Sequence, residues 1–225
     1  MNIRTPLIVS AAIVAAMIAA SLLALSLLPP GAPIPIHWNT DGQIDRYATG
    51  WYAVFMAPAM AALIAAIFAA IPAIEPRRLH LEKSAKFYTA MWIAVLLLLA
   101  FTHGAALYVA LHAGTQVGAV VIGAVCLLMI VMGNYLSKTR SMFLGGLRTP
   151  WTLSSEYSWQ RTHALAGKLF VGVGAAGLVA VIAAPAAEAA RLFLYAVVAT
   201  VVVSVAASYV FWLRDPDRNR TDTAV

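Results

Sequence analysis

Along this chain apolar residues neither alternate with polar ones at strand spacing nor keep to one helical face; they run on in long unbroken stretches. A hydrocarbon core about 30 Å thick takes roughly 20 residues of helix to cross. Six stretches reach that length, at about 6–28, 51–73, 86–110, 116–136, 167–184 and 190–213. The pattern predicts an all-α membrane protein with six transmembrane helices, a single polytopic domain over residues 1–225. It places an outer loop at 29–50 and an inner loop at 137–166. The first run is longer than the roughly 7–15 apolar residues of a secretory signal, so it is expected to be a retained helix.

Lysine and arginine placement orients the spans. With the N-terminus inside, the inner segments hold Arg4; Arg77, Arg78, Lys83 and Lys86; Lys138, Arg140, Arg148, Arg161 and Lys168; and Arg214, Arg218 and Arg220. The outer segments hold only Arg46 and Arg191. Positive residues stay on the cytoplasmic side, so both termini are expected there, in a bacterial inner membrane. Trp51 and Trp212 fall at span edges, where an indole buries its ring and wets its N–H.

Composition agrees. Charged residues are 11% of the chain, against about 25% in a soluble domain, and mean hydropathy is +0.84. The net charge of +6 comes from residues between apolar runs. Membrane lipid is therefore the expected partner, with no direct nucleic acid. Cys126 is the single cysteine and lies inside an apolar run. It has no intrachain disulfide partner, and no Cys/His cluster offers structural zinc; no cofactor is expected.

Within the spans, small residues let helices approach closely in lipid. Gly114-x-x-x-Gly118 and the Gly172, Gly174, Gly177 cluster are either contact faces or simply common residues of such helices. Pro58 is expected to kink the second span. His103 is expected to face the bundle interior or a wet cavity.

Two loops are denser than connectors require. In the outer one, Pro29, Pro30, Pro33 and Pro35 stiffen the path, and Asn39-Thr40-Asp41-Gly42 reads as a turn. The result is a rigid hairpin or cap presenting His37, Trp38, Asn39, Asp41 and Asp45 as candidate ligand-binding residues, with Arg46 beside them. His37, Asp41 and Asp45 are also possible metal ligands, with His103 and His112 toward the same side. Without a short ligand spacing, the structural alternative is favoured and no metal is expected. In that alternative Asp41 and Asn39 hold the turn, while His37 and Trp38 pack on helix ends.

The inner loop offers Asn134, Arg148, Thr149, Trp151, Glu156, Trp159 and His163 as candidates for docking a partner or lipid. Thr149 before Pro150 is a good helix start. A short amphipathic helix is expected to follow, lying in the inner interface and running into the fifth span. Leu153, Tyr157 and Ala164 share one of its faces, with Trp151 and Trp159 at headgroup depth. For catalysis, Ser154 or Ser155 with His163 is the best nucleophile–base pairing on offer.

These loops carry a family resemblance. Leu28-Pro…Ile34-Pro-Ile-His-Trp-Asn…Gly42…Asp45 resembles the outer-loop motif of the SdpI-like membrane proteins. Gly133-Asn-Tyr-Leu…Gly146-Leu-Arg-Thr-Pro-Trp-Thr-Leu-Ser-Ser-Glu…Trp159…Thr162-His163…Gly167 resembles that family's second signature. Two positions depart from it: Ser141-Met142-Phe143 stands where the family often has Asn, and Ala164 where a basic residue is common. The resemblance implies an immunity or signalling protein. Its outer loop would meet a killing peptide or envelope signal, and its inner loop would dock a cytoplasmic repressor. No catalytic residue is assigned. A small transporter or channel, built around His103, Pro58 and the glycine-rich fifth span, is one alternative. A membrane-embedded enzyme using Arg148, Ser155, Glu156 and His163 on lipid headgroups is the other.

Overall fold

Each apolar run forms one helix in the computed structural model, which describes residues 1–112 and 114–218. The six are α1 (Arg4–Leu27), α2 (Gly50–Ile74), α4 (Ala85–Leu111), α5 (Gly118–Leu136), α7 (Glu156–Ala183) and α8 (Ala186–Leu213). All are long and apolar enough to cross a membrane, so the chain is a multi-pass membrane protein. The shortest, α5, has 19 residues and at 1.5 Å per residue reaches about 28 Å. Two short helices, α3 (Arg78–Lys83) and α6 (Pro150–Ser154), sit in connecting segments. A two-stranded antiparallel hairpin, β1 (Ile34–Trp38) and β2 (Ile44–Ala48), follows α1. The proline-stiffened loop is thus a hairpin, its register broken by a bulge around His37.

Bonds between segments sort the loops onto two ends of the bundle. The Met1 ammonium meets Glu82 at 3.2 Å, Glu75 takes backbone N–H groups from the 137–155 segment, and Ser155 bonds Asp215. Both described termini therefore lie at one end. The hairpin occupies the other, where Asp41 pairs with Arg191 at 3.2 Å and Gly42 abuts Gly118. Every inner-assigned Lys or Arg through residue 218 falls at the termini end or in the helix turns beside it; Arg220 lies outside the described residues.

Packing follows the rule for lipid rather than water. Many large apolar side chains point outward, as with Ile182 at 87% exposure, and on α8 the small ones turn in. The buried residues of α8 are Ala189, Ala190, Thr200, Ser204 and Ser208. Lipid is as apolar as leucine, so close contact between small residues replaces hydrophobic drive. The closest approach is between α5 and α7. A Cβ on Gly133 would stand 2.5 Å from the Gly167 carbonyl oxygen, and one on Gly174 would stand 2.7 Å from that of Cys126. The Gly114–Gly118 spacing is not a helix contact face. Gly114 lies before α5 with φ +85° and nothing near it, and Gly118 receives the hairpin turn. Gly172 likewise faces open space, whereas Gly177 meets Cys126 and Phe193.

Two prolines lie within α2, Pro58 and Pro72. Each lacks the N–H that would serve the carbonyl four residues earlier. Those carbonyls belong to Val54 and Phe68. The Ser21 hydroxyl of α1 donates to Val54 at 2.7 Å, and the Tyr88 hydroxyl of α4 donates to Phe68. Neighbouring helices thus satisfy both groups, as proline inside lipid requires.

The helix expected after Pro150 differs from the prediction. Helix α6 has five residues and stops at Ser155, whose extended backbone (φ −140°, ψ 117°) starts α7 separately. The Ser155 side chain accepts from the Ser158 N–H, so a capping serine interrupts what periodicity joined. The helix that carries the fifth span, expected over 167–184, runs from Glu156 to Ala183.

Candidate functional site

At the termini end, the site is built on a buried carboxylate. Glu75 caps the C-terminus of α2 and accepts from Arg77 N–H (3.0 Å), Phe143 N–H (3.0 Å) and Leu144 N–H (2.8 Å). Arg77 reaches the same loop, donating to the Ser141 hydroxyl and, at 2.9 Å, to the Leu153 carbonyl, with its guanidinium over the Phe143 ring. His80 Nδ1 donates to the Ser141 carbonyl at 2.7 Å, and Arg140 N–H donates to Ser84 Oγ. Glu156, opening α7, accepts from Arg140 at 3.4 Å and from Ser141 N–H at 3.3 Å. A segment of mostly irregular backbone thereby finds partners for its polar groups without a sheet or helix ladder.

The next stretch is pinned by His163. Gly146, at φ +83°, passes so near that a Cβ there would stand 2.6 Å from His163 Nε2, which explains the glycine. The Leu147 N–H donates to that Nε2 at 2.9 Å, and His163 Nδ1 meets the Trp159 carbonyl at 2.8 Å. A backbone N–H can only donate and a carbonyl only accept, so Nε2 is bare and Nδ1 carries the hydrogen. The imidazole stacks on the fully buried Trp159, centroids 4.0 Å apart, and the Trp159 indole donates to Thr139 Oγ1 at 3.1 Å.

Thr149 and Thr152 then form a reciprocal capping box. Thr152 Oγ1 donates to the Leu147 carbonyl, and Thr149 Oγ1 shares a hydrogen bond with Ser208 Oγ at 3.0 Å. Ser158 Oγ donates to the Ser208 carbonyl at 2.8 Å. Thr149, Glu156, Trp159 and His163 thus enter one polar network beneath the bundle.

The other candidates stand apart. Arg148 is exposed and donates to the Phe143 carbonyl at 2.7 Å. Trp151 lies against Tyr209, centroids 5.0 Å apart. Asn134 is exposed on α5, outside the network. Ser154 and Ser155 do not pair with His163: their hydroxyls donate to the Trp151 carbonyl and to Asp215. No motif in the sequence joins Glu75, Arg77 or His80 to this loop; the fold alone brings them there.

At the hairpin end, Asn39 Oδ1 accepts from Asp41 N–H (2.9 Å) and Gln43 N–H (3.0 Å), and Gly42 takes φ +72°. Asn39 holds the turn as expected, whereas Asp41 turns to Arg191. His37 is exposed rather than packed on a helix end. Its Nδ1 lies 2.6 Å from Asp45 Oδ1, and that hydrogen bond holds the Asp45 carboxyl below its ordinary value. Trp38 does pack inward, against a cluster of Ala24, Ile34, Val54 and Leu107, and its buried Nε1 has no partner.

Beneath Trp38 a cavity of about 220 Å³ extends to His103. The Ser21 hydroxyl donates to Val54, so it accepts from His103 Nε2 at 3.0 Å, and that histidine joins α1 to α4. His112 folds back on the Tyr108 carbonyl. Among the described residues, no three His, Cys, Asp or Glu side chains come together as a metal group.

Comparison with known proteins finds a match at each end of the bundle. The model of the SdpI/YfhL protein family matches residues 138–211, from the termini-end loop through α7 and most of α8. A domain of unknown function, DUF1648, matches residues 12–62, which include the hairpin. No curated protein and no solved structure matches the chain. The two matched segments, in this order on six apolar helices, support an SdpI-like membrane protein.

Proposed function

We propose that this chain is a non-enzymatic, immunity-type protein of the bacterial cytoplasmic membrane. It binds an antimicrobial peptide or another envelope-active agent at the hairpin. The 137–155 segment passes that event to a cytoplasmic partner such as a repressor. The observation that carries this reading is the family match over 138–211, which suggests a membrane immunity-type protein. The thirteen-to-two distribution of Lys and Arg supports a cytoplasmic termini end and an outward hairpin.

The hairpin offers a peptide an exposed His37–Asp45 pair at one edge and a half-buried Trp38 behind it. Binding there would sequester the agent before it disrupts the bilayer. His103 is engaged in joining helices and His163 in pinning a loop, so the transport and lipid-enzyme readings gain no supporting observation.

The test is a strain lacking the gene, challenged with a panel of cationic and hydrophobic envelope-active peptides. Greater sensitivity to at least one peptide is expected, restored by the wild-type chain but not by Asp45→Ala with Trp38→Ala. Unchanged sensitivity across the panel would overturn the reading.

A further inference from the structure

Where α5 ends and α7 begins, a cleft of about 340 Å³ opens at the termini end. Its walls include Ser137, Lys138 and Arg140 from the chain just past α5, with Tyr157, Gln160 and Arg161 from the first turns of α7. Three cations therefore converge on one concavity.

The charges of Lys138 and Arg161 are held in place without being cancelled, while Arg140 is shared with a carboxylate. Lys138 Nζ lies 5.5 Å from the centre of the Tyr135 ring, and the Arg161 guanidinium 5.4 Å from that of Tyr157. Such contacts fix a cation while leaving its charge available. Among the described residues neither Lys138 nor Arg161 makes an ion pair, and the one carboxylate nearby, Glu156, faces Arg140 at 3.4 Å. The wall itself is anchored, because the Arg140 N–H is held by Ser84 and Thr139 by the Trp159 indole.

We infer that this cleft binds the phosphate of an anionic phospholipid headgroup. Ser137–Arg140 are the first residues beyond an apolar span, which sets them at the depth where headgroup phosphates lie. The volume is at the small end of ligand sites, roughly 300–1,000 Å³, suited to a headgroup rather than a folded partner. Hydroxyl and amide donors from Ser137, Tyr157 and Gln160 ring the cations, and phosphate oxygens accept from both kinds of group. The inference does not depend on the immunity reading.

The test reconstitutes the full chain in nanodiscs of phosphatidylcholine and phosphatidylglycerol in about equal parts and counts retained lipids by native mass spectrometry. Retained phosphatidylglycerol should exceed phosphatidylcholine. The triple variant Lys138→Gln, Arg140→Gln, Arg161→Gln should lose roughly tenfold or more of that preference, since each basic residue near an anionic surface contributes about 1 kcal/mol. The charge-matched control Arg4→Gln, Arg78→Gln, Lys83→Gln removes exposed cations of the same end and should keep it. Equal loss in both variants, or no loss in the first, overturns the inference. If the triple variant does not fold, Arg161→Gln against Arg161→Lys gives the same comparison, with only the lysine variant retaining the preference. A second arm adds inorganic phosphate to protein in phosphatidylcholine alone and follows ³¹P line broadening. Broadening by free phosphate without lipid preference would make this a soluble-anion site and overturn the lipid assignment.

Discussion

Pro58 and Pro72 remove two hydrogen bonds from the middle and end of α2, and two hydroxyls on other helices replace them. A stranded carbonyl in hydrocarbon is costly, so these donors act as obligatory parts of α2. Ser21→Ala should destabilise the bundle by about 0.5–2 kcal/mol, the scale of interhelical hydrogen bonds in membranes. Tyr88→Phe should cost a similar or smaller amount, because its ring still packs between Phe68 and Trp92. Denaturant titration in mixed micelles measures both, with the exposed Ser26→Ala as a neutral reference. A carbonyl stranded by Pro58 was readable from the sequence, but the donor that serves it was not. A serine bonds its own helix four residues back, as Ser21 does to Met17 at 3.0 Å, and only tertiary approach brings it to Val54 at 2.7 Å. The same limit hid the Glu75–Arg77–Ser141 network, whose members become neighbours through topology alone. Thr149, Glu156, Trp159 and His163 were legible because cap chemistry and a long motif marked them before any contact was known.

Among the elements, α5 and α7 form the tightest pair, and glycine makes it possible. Gly133 and Gly167 face each other so closely that neither tolerates a Cβ without backbone movement. Gly167→Val should therefore cost more than the roughly 1–3 kcal/mol of ordinary overpacking, whereas Gly172→Val, in open space, should be nearly silent. Thermal aggregation in detergent separates the two outcomes. Long apolar runs made the helices legible, since length alone distinguishes a span. Residues from Glu156 to Thr162 were expected to continue a helix entered at Pro150; in the structure they form the first turns of α7, a helix that starts afresh. The α6–α7 break was hidden: Ser155 is compatible with a helix interior, and its capping role appears only once its backbone is extended.

The whole molecule divides into two groups of three helices, with α1, α2 and α4 on one side and α5, α7 and α8 on the other, joined mainly where α4 meets α5. The division follows chain order, and loops at both ends cross it. Opposite placement of the two loops predicts that His37→Cys and Arg148→Cys label from opposite sides of intact cells. An impermeant maleimide should reach His37→Cys directly and Arg148→Cys only after permeabilisation. Labelling of both without permeabilisation would contradict six crossings.

The straps across the division are unequal. At the termini end they are numerous and largely buried: the Glu75 carboxylate, the two-pronged Arg77, His80 and Ser84 all grip the 137–144 segment. At the hairpin end, among the described residues, there is one half-exposed ion pair, Asp41–Arg191, and a glycine touching a glycine. A body fastened this way has the mechanics of a clothes-peg sprung at one end. Pulling or wedging at the hairpin is expected to part the two groups of helices there first, with the strapped end as the hinge.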